Sequence, residues 1–325
     1  MEHVLEETTP VGRMRLQVRQ RRFVAEEVVT FELVSPDGSA LPAFSAGAHI
    51  DVKVPCGRVR SYSLCSDPMS NDHYAIAVKR QAEGKGGSTS MVDDLQVGDV
   101  IWTSLPKNDF ALTEGSERYL FIAGGIGITP ILSMIRRLER YQPSSYQLLY
   151  LTATPEQTPF LEELKKERLS GEILIHHSKQ PLSARLDIGG FLEQQNGREI
   201  YCCGSDSLMR SVRMASRHWS EQSVHFESFG STRSGEVAGG AAFEVHFARS
   251  NTTLVVEPHE TILTAAINAG IAIDSSCRGG SCGTCAVPLL TGQVDHRDFY
   301  LSVDAQKTRI ITCVSRGKGS IAIDA

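Results

Sequence analysis

Four cysteines toward the end of this 325-residue chain, Cys277, Cys282, Cys285 and Cys313, have the side-chain type and the spacing to hold iron. The first three form a C-x4-C-x2-C run, the ligand spacing of a plant-type [2Fe-2S] centre. Such a centre needs four thiolates converging on two irons, so the loop around it must turn tightly. Here the loop reads Cys277-Arg278-Gly279-Gly280-Ser281-Cys282-Gly283-Thr284-Cys285, with glycines where Cβ atoms would crowd the sulfides. Cys313, in the apolar and strand-like run Arg309 to Val314, supplies the fourth thiolate on this reading. Zinc and unrelated buried thiols are the alternatives. Structural zinc usually takes paired C-x2-C units, and Cys313 has no cysteine or histidine close by in sequence. The chemistry of the favoured reading is transfer of single electrons.

Two glycine-rich stretches have the composition to hold phosphate. In Glu83-Gly84-Lys85-Gly86-Gly87-Ser88-Thr89-Ser90-Met91, the backbone N–H groups of Gly86, Gly87 and Ser88 open a helix-like segment and would cradle an anion, neutralised by Lys79 and Arg60. A mobile loop with solvated lysines is the plainer alternative. In Ala123-Gly124-Gly125-Ile126-Gly127-Ile128-Thr129-Pro130, Gly124, Gly125 and Gly127 would let a dinucleotide approach the backbone between a strand and a helix, and Pro130 suits the helix's first turn. The spacing is Gly-x-Gly-x-x-Pro, not the Rossmann fingerprint, and a simple strand-to-helix turn would look the same.

The elements that must position these residues fall into three patterns. Short alternating segments, Leu16-Val18, Val28 to Val34, His49 to Lys53, Tyr74 to Val78 and Val100-Trp102, predict a small antiparallel barrel. From Tyr119 to Phe229, apolar runs (Tyr119 to Ala123, Tyr146 to Leu151, Ile173 to His176, Tyr201 to Cys203, Val224 to Phe229) alternate with amphipathic helices, which predicts a parallel sheet covered by helices. Gly230 to Ala242 has no periodicity and reads as a flexible linker. After it come a hairpin (Phe243 to Phe247, Thr253 to Val255), a helix from Ile262 to Ala269 and the cysteine loop, the order of a ferredoxin β-grasp domain.

Several segments carry a family resemblance. Arg60-Ser61-Tyr62-Ser63-Leu64 resembles the Arg-x-Tyr-Ser flavin motif of the ferredoxin–NADP reductase superfamily, and Gly124 to Pro130 resembles its pyridine-nucleotide motif. Tyr201-Cys202-Cys203-Gly204 resembles the superfamily's Cys-Gly segment, and His225-Phe226-Glu227-Ser228-Phe229-Gly230 the segment that returns toward the flavin. With its ferredoxin-like end, the chain from about residue 10 onward resembles the phthalate dioxygenase reductase family. That resemblance implies an FMN-binding barrel over 10–112, an NADH-binding α/β domain over 113–229, a linker over 230–241 and a plant-type ferredoxin domain over 242–325.

It also implies roles. Arg60 pairs with the flavin phosphate, Tyr62 stacks on the ring, Ser63 bonds its N5 edge, and Ser61, Val78 and Lys79 complete that wall beside Gly86, Gly87 and Ser88. Thr129, Gly124, Gly125, Gly127, Thr152, Cys203 and Gly204 meet the nucleotide, with the Cys203 thiol near the nicotinamide. Phe229 covers the flavin, and Glu227 helps a proton enter or leave. The neutral, then acidic run Leu151-Thr152-Ala153-Thr154-Pro155-Glu156 offers no cation for a 2′-phosphate, so NADH is expected over NADPH. The implied partner is a Rieske-type terminal oxygenase acting on an aromatic substrate. A reductase for a cytochrome P450 or di-iron monooxygenase, and an iron–sulfur redox sensor, are the other readings. His176 and His177 lack ligand spacing and are expected to be surface residues at a strand end.

Composition sets the outer bounds. Hydrophobic residues at 41% and charged residues at 22% suit a soluble multidomain protein of two or three units. The net charge of −5 argues against nucleic acid as the partner. No run approaches the roughly 20 apolar residues of a membrane span, and Met1-Glu2 with Glu6 and Glu7 does not open like a signal peptide. A cytoplasmic protein with reduced thiols is expected, and with no coiled-coil pattern or large apolar stripe, a monomer.

Overall fold

The structure, a computed structural model, describes residues 13–141, 145–166, 169–180, 186–193, 197–229 and 239–325. Packing divides the chain into two compact units, Met1–Glu117 with Ala123–Arg185, and Arg118–Ile122 with Leu186–Ala325. Among the described residues no helix is long and apolar enough to cross a membrane.

The first sheet is antiparallel. It comprises β1 (Arg13–Ala25), β2 (Val28–Val34), β3 (His49–Lys53), β4 (Val59–Ser63), β5 (Tyr74–Lys79) and β6 (Val100–Ser104), in the order β4-β3-β6-β1-β2-β5. Alternation decides which face turns inward. Val29, Phe31 and Leu33 of β2 stand opposite Val78, Ile76 and Tyr74 of β5, and all six are core residues. The two edge strands meet where Leu64 bridges to Ile76 and the Cys65 N–H donates to the Ala75 carbonyl at 2.8 Å. That closure makes the sheet a barrel and removes its open edges. Helix α1 (Gly87–Asp94) seats Met91 and Val92 in the same core.

The second sheet has β7 (Arg118–Gly124), β8 (Ser145–Thr152), β9 (Glu172–His177), β10 (Glu199–Cys203) and β11 (Val224–Glu227), in the order β11-β10-β7-β8-β9. The β8–β9 and β10–β11 pairs are parallel, as the continuous apolar runs predicted. Among the described residues it is accompanied by α2 (Ile128–Tyr141), α3 (Leu161–Lys166), α4 (Ile188–Glu193) and α5 (Asp206–Ala215). In α2 the residues Ile128, Ile131, Leu132, Ile135 and Leu138 form one buried stripe. Its polar side holds the loops of the same unit. Ser133 Oγ accepts from the Gly47 N–H at 3.0 Å, and Arg140 pairs with Asp67 at 2.8 Å. Arg136 donates both to the Cys65 carbonyl and to Glu163. Arg136→Ala removes hydrogen bonds made by a charged, partly buried group, so it should destabilise this unit by about 1.5–3 kcal/mol. A lower urea midpoint at unchanged slope is the expected reading; a shift under about 0.5 kcal/mol would class it with ordinary surface changes.

The third sheet is built from β12 (Phe243–Phe247), β13 (Thr252–Val256), β14 (Ala286–Asp295), β15 (Arg309–Ile311) and β16 (Arg316–Ile323), in the order β13-β12-β16-β14-β15. β12 and β16 are parallel, while β13 and β14 flank them antiparallel. Helix α6 (Ile262–Asn268) puts Ile262, Ala265 and Ala266 onto this sheet's core. The buried Arg316 donates to the carbonyls of Ala241, Glu257 and Glu260, and its guanidinium lies 4.7 Å from the Phe243 ring centre. Most of the expected linker, residues 230–238, lies outside the described residues.

One expectation is corrected here. Cys313 lies not in a strand but in the turn after β15. The strand stops because Thr312 donates its hydroxyl to the Cys285 carbonyl at 3.0 Å, and the Ser315 N–H closes back on the Ile311 carbonyl at 3.0 Å.

Candidate iron–sulfur, flavin and nucleotide sites

The cysteine loop is wrapped by backbone that few residues adopt. Arg278, Gly280 and Gly283 all have positive φ, at 49°, 74° and 77°. At Gly280 the need is also steric: a Cβ there would stand 2.8 Å from Val314 Cγ2 and 3.2 Å from Asp298 Cα. The turning chain aims its donors at sulfur. Cys277 Sγ accepts from the N–H groups of Gly279 and Cys282, both at 3.4 Å, and from Ser281 Oγ at 3.6 Å. Cys277, Cys285 and Cys313 are buried, Cys282 is half-buried, and all four are free thiols.

The Cys277 thiol is held below the ordinary thiol range by its hydrogen bond with Cys282, helped by the Gly279 N–H, and that of Cys285 is lowered by Cys313. Among the described residues no three His, Cys, Asp or Glu side chains converge on a point fit for one metal ion. Four free thiols on a tightly turning loop and the turn after β15, with N–H donors aimed at Cys277, suit a cluster held by four thiolates. The donor set therefore fits a [2Fe-2S] cluster.

The flavin motif lies on β4 and in its surroundings. Arg60 stands against the start of α1, where a Cβ on Gly87 would be 2.9 Å from Arg60 Nε. Its Nη1 donates to the Val59 carbonyl at 2.8 Å, and among the described residues it meets no carboxylate. Helix α1 begins at Gly86 in a left-handed conformation, with no side chain capping it. A guanidinium beside an uncapped helix N-terminus is an arrangement for a phosphate. Tyr62 adds an independent sign. Its hydroxyl is buried with no partner among the described residues, and burial raises its pKa well above the ordinary tyrosine value. These features fit a flavin phosphate and an amphipathic ligand against Tyr62.

Other residues of the expected wall divide by role. Ser61 donates to Asp51 at 2.6 Å, and Asp51 also pairs with Lys107 at 2.7 Å. Ser88 Oγ accepts from the Gln81 N–H at 3.1 Å and so fixes the glycine loop. Ser63 is buried, Lys79 is exposed, and the Val78 side chain belongs to the barrel core, which leaves it only its backbone to offer a ligand.

Toward the nucleotide, β7 ends at Gly124, and a single 3₁₀ turn, Gly125–Gly127, leads into α2. Tyr150 Oη anchors that turn by donating to the Gly125 carbonyl at 3.0 Å. Thr129 is buried and donates its hydroxyl to the Ile126 carbonyl at 3.0 Å, leaving its lone pairs for any further contact. Thr152, at the end of β8, stands opposite His177 at the end of β9. Its Oγ1 lies 2.8 Å from His177 Nδ1 and 2.7 Å from Thr158 Oγ1. His177 is thus tied into the strand ends and half-buried, not the surface residue expected; the parallel register that brings it to Thr152 is the missed signal. Tyr150 and Thr158 carried no motif; their contacts, Tyr150 to the Gly125 carbonyl and Thr158 to Thr152 six residues before it, come from the turns after β7 and β8.

In the other unit, the parallel register sets Cys203, at the end of β10, beside Glu227, at the end of β11; both are buried. Gly204 follows, and Ser205 caps α5 by accepting from the Leu208 N–H at 3.3 Å. Cys202 is buried too, which raises its thiol above the ordinary range. Phe229 is half-buried just beyond β11. The cysteine loop touches this strand end: a Cβ on Gly279 would lie 3.4 Å from the Ser228 carbonyl. Phe299 packs on Phe226 with ring centres 5.9 Å apart, and Arg213 of α5 donates to the Leu301 carbonyl at 2.7 Å.

Comparison with known proteins places the chain among its relatives. Residues 15–111 match the family model of the oxidoreductase FAD-binding domain, and residues 245–318 that of the 2Fe-2S iron-sulfur cluster binding domain. The chain is 40% identical to phthalate dioxygenase reductase of Burkholderia cepacia, over 96% of this chain and 98% of that one. It is 41% identical to the phthalate 4,5-dioxygenase oxygenase reductase subunit of Pseudomonas putida, over 95% of each. A solved structure of phthalate dioxygenase reductase, described as modular for electron transfer from pyridine nucleotides to [2Fe-2S], aligns with a TM-score of 0.69 at 38% identity. It covers 98% of this chain and 100% of that one.

Proposed function

The chain belongs to the phthalate dioxygenase reductase family, and from that premise we propose that it is the NADH-dependent reductase component of a two-component Rieske aromatic-ring oxygenase. It is an oxidoreductase with flavin and [2Fe-2S] domains, and an oxygenase component is its partner. The proposal adds FMN as the flavin, an aromatic acid of the phthalate type as the oxygenase's substrate, and a cytoplasmic monomer as the working form. The domain boundaries it adopts are 10–112, 113–229, 230–241 and 242–325.

The observation that carries the reading is the tightly wound loop of cluster thiols in a chain that also holds Arg60 at the open start of α1. When bound, the flavin accepts hydride from NADH and passes electrons on singly to an iron–sulfur centre, which meets the one-electron demand of the partner. The chain's residues do the rest. Arg60, Gly86, Gly87 and Ser88 hold the phosphate; Ser61, Tyr62, Ser63, Val78 and Lys79 shape the flavin wall; Phe229 covers its ring. Gly124, Gly125, Gly127, Thr129, Thr152, Cys203 and Gly204 place the nucleotide, and Glu227 holds or moves a proton at the end of β11. Thr152, bonded to His177 and Thr158, offers a hydroxyl and no cation of its own at the strand end, which favours NADH over NADPH.

Anaerobic titration with NADH tests the assignment. Flavin and iron–sulfur absorbance should both bleach, taking three electrons per chain. A preparation rich in iron that shows no cluster absorbance would end the electron-relay reading and leave a metal-binding or sensor role. Reduction by NADPH as efficient as by NADH would overturn the nucleotide choice.

A further inference from the structure

One buried charge near the thiols has no part in the roles assigned so far. Asp298 follows β14 in the run Asp295-His296-Arg297-Asp298, and its side chain has no solvent exposure. A carboxylate in such a place is costly unless its lone pairs are met. Its Oδ2 accepts from the Leu301 N–H at 2.7 Å. Its Oδ1 accepts from Ser315 Oγ at 3.4 Å and lies 3.7 Å from Nδ1 of His296, whose side chain is also largely buried. The segment around it reaches both ligand-bearing stretches. The Phe299 N–H donates to the Gly280 carbonyl at 2.9 Å, inside the loop that carries Cys277, Cys282 and Cys285. The Arg297 N–H donates to Ser315 Oγ at 3.3 Å, two residues beyond Cys313. Asp298 therefore stands where the loop of three thiols and the turn of the fourth are pinned to one another.

A neutral asparagine or serine could accept the same Leu301 N–H. A carboxylate adds a negative charge behind the thiols, in low-dielectric surroundings where a charge acts strongly. The potential of an iron–sulfur centre depends on its net charge and on the groups supporting its ligands. Resting on the [2Fe-2S] reading above, we propose that Asp298 is a positioning residue of the iron–sulfur centre: it clamps the two ligand-bearing stretches together, and its charge lowers the centre's affinity for an electron.

The test is an EPR-monitored redox titration of the full-length holoprotein, with the flavin couple as internal reference. Wild-type protein without a cluster signal would defeat the functional reading before this one is reached. In a cluster-bearing protein, Asp298→Asn should favour the reduced cluster about tenfold, which is 59 mV upward for one electron, and should alter the cluster's g values. Asp298→Glu, which keeps the charge, should recover most of that shift. A D298N protein with wild-type potential and g values overturns the proposal, as does a D298E protein shifted as far as D298N. If D298N assembles no cluster, iron release to a chelator from D298E and Ser315→Ala decides: faster release than wild type supports the clamp, and equal release refutes it.

Discussion

Cys313→Ser should leave a protein whose flavin still bleaches with NADH but whose cluster bands are gone, and whose reduction of cytochrome c collapses. Changing only the groups that support a metal ligand typically costs about 10–100-fold in affinity or activity. Losing one of four protein ligands should exceed that, because serine offers no thiolate at neutral pH and the cluster would be held by three cysteines instead of four. The turn that carries Cys313 is also tied to the loop through Thr312 and the Cys285 carbonyl, so the loss disturbs Cys285 as well. Cys56→Ser is the matched control, since Cys56 is an exposed thiol in the turn between β3 and β4. Iron content, EPR and cytochrome c turnover read the outcome. A C313S protein with full iron and a wild-type signal would assign the fourth ligand elsewhere.

Arg60→Ala should weaken flavin binding roughly 10- to 100-fold, because hydrogen bonds to a charged group contribute about 1.5–3 kcal/mol each site. The uncapped start of α1 would remain, with its N–H groups and its favourable field, so binding should be weakened but not lost. Arg60→Lys should fall between, keeping the charge without the planar fork. Dialysis against flavin-free buffer followed by fluorescence titration with FMN measures the change. If R60A binds FMN as tightly as wild type, the phosphate lies elsewhere and the cradle at Gly86 to Ser88 must be reassigned. Titration with FAD in parallel tests whether the site ends at one phosphate.

What could be read from the sequence was mostly local. The C-x4-C-x2-C spacing, the alternation of β2 and the apolar stripe of α2 each depend on residues a few positions apart, and each led to the element that forms. Features set by register were not legible. Thr152 and His177 are 25 residues apart and meet because β8 and β9 run parallel in one register. Cys203 and Glu227 come together in the same way. β14 has a broken pattern of burial and irregular pairing with β16, which hid it as a strand. The N–H groups of Gly279 and Cys282 turned toward the Cys277 sulfur also lay beyond spacing, since the order of four cysteines does not say how the loop bends around them. Asp298 stands in Asp295-His296-Arg297-Asp298, a run in which the chain resembles the family, but the run assigned it no role; its burial and its contacts across the fold supply one.

The unpartnered hydroxyl of Tyr62 bears on how much of this protein a cell can keep. A buried polar group without a partner costs about 1–3 kcal/mol, a sizeable part of a domain's whole stability. A ligand that meets that group and fills the barrel's wall stabilises the fold by mass action. The vitamin supply then acts on protein abundance as well as on turnover. Cells starved of riboflavin should therefore hold less of this chain than replete cells, a difference that immunoblotting would read.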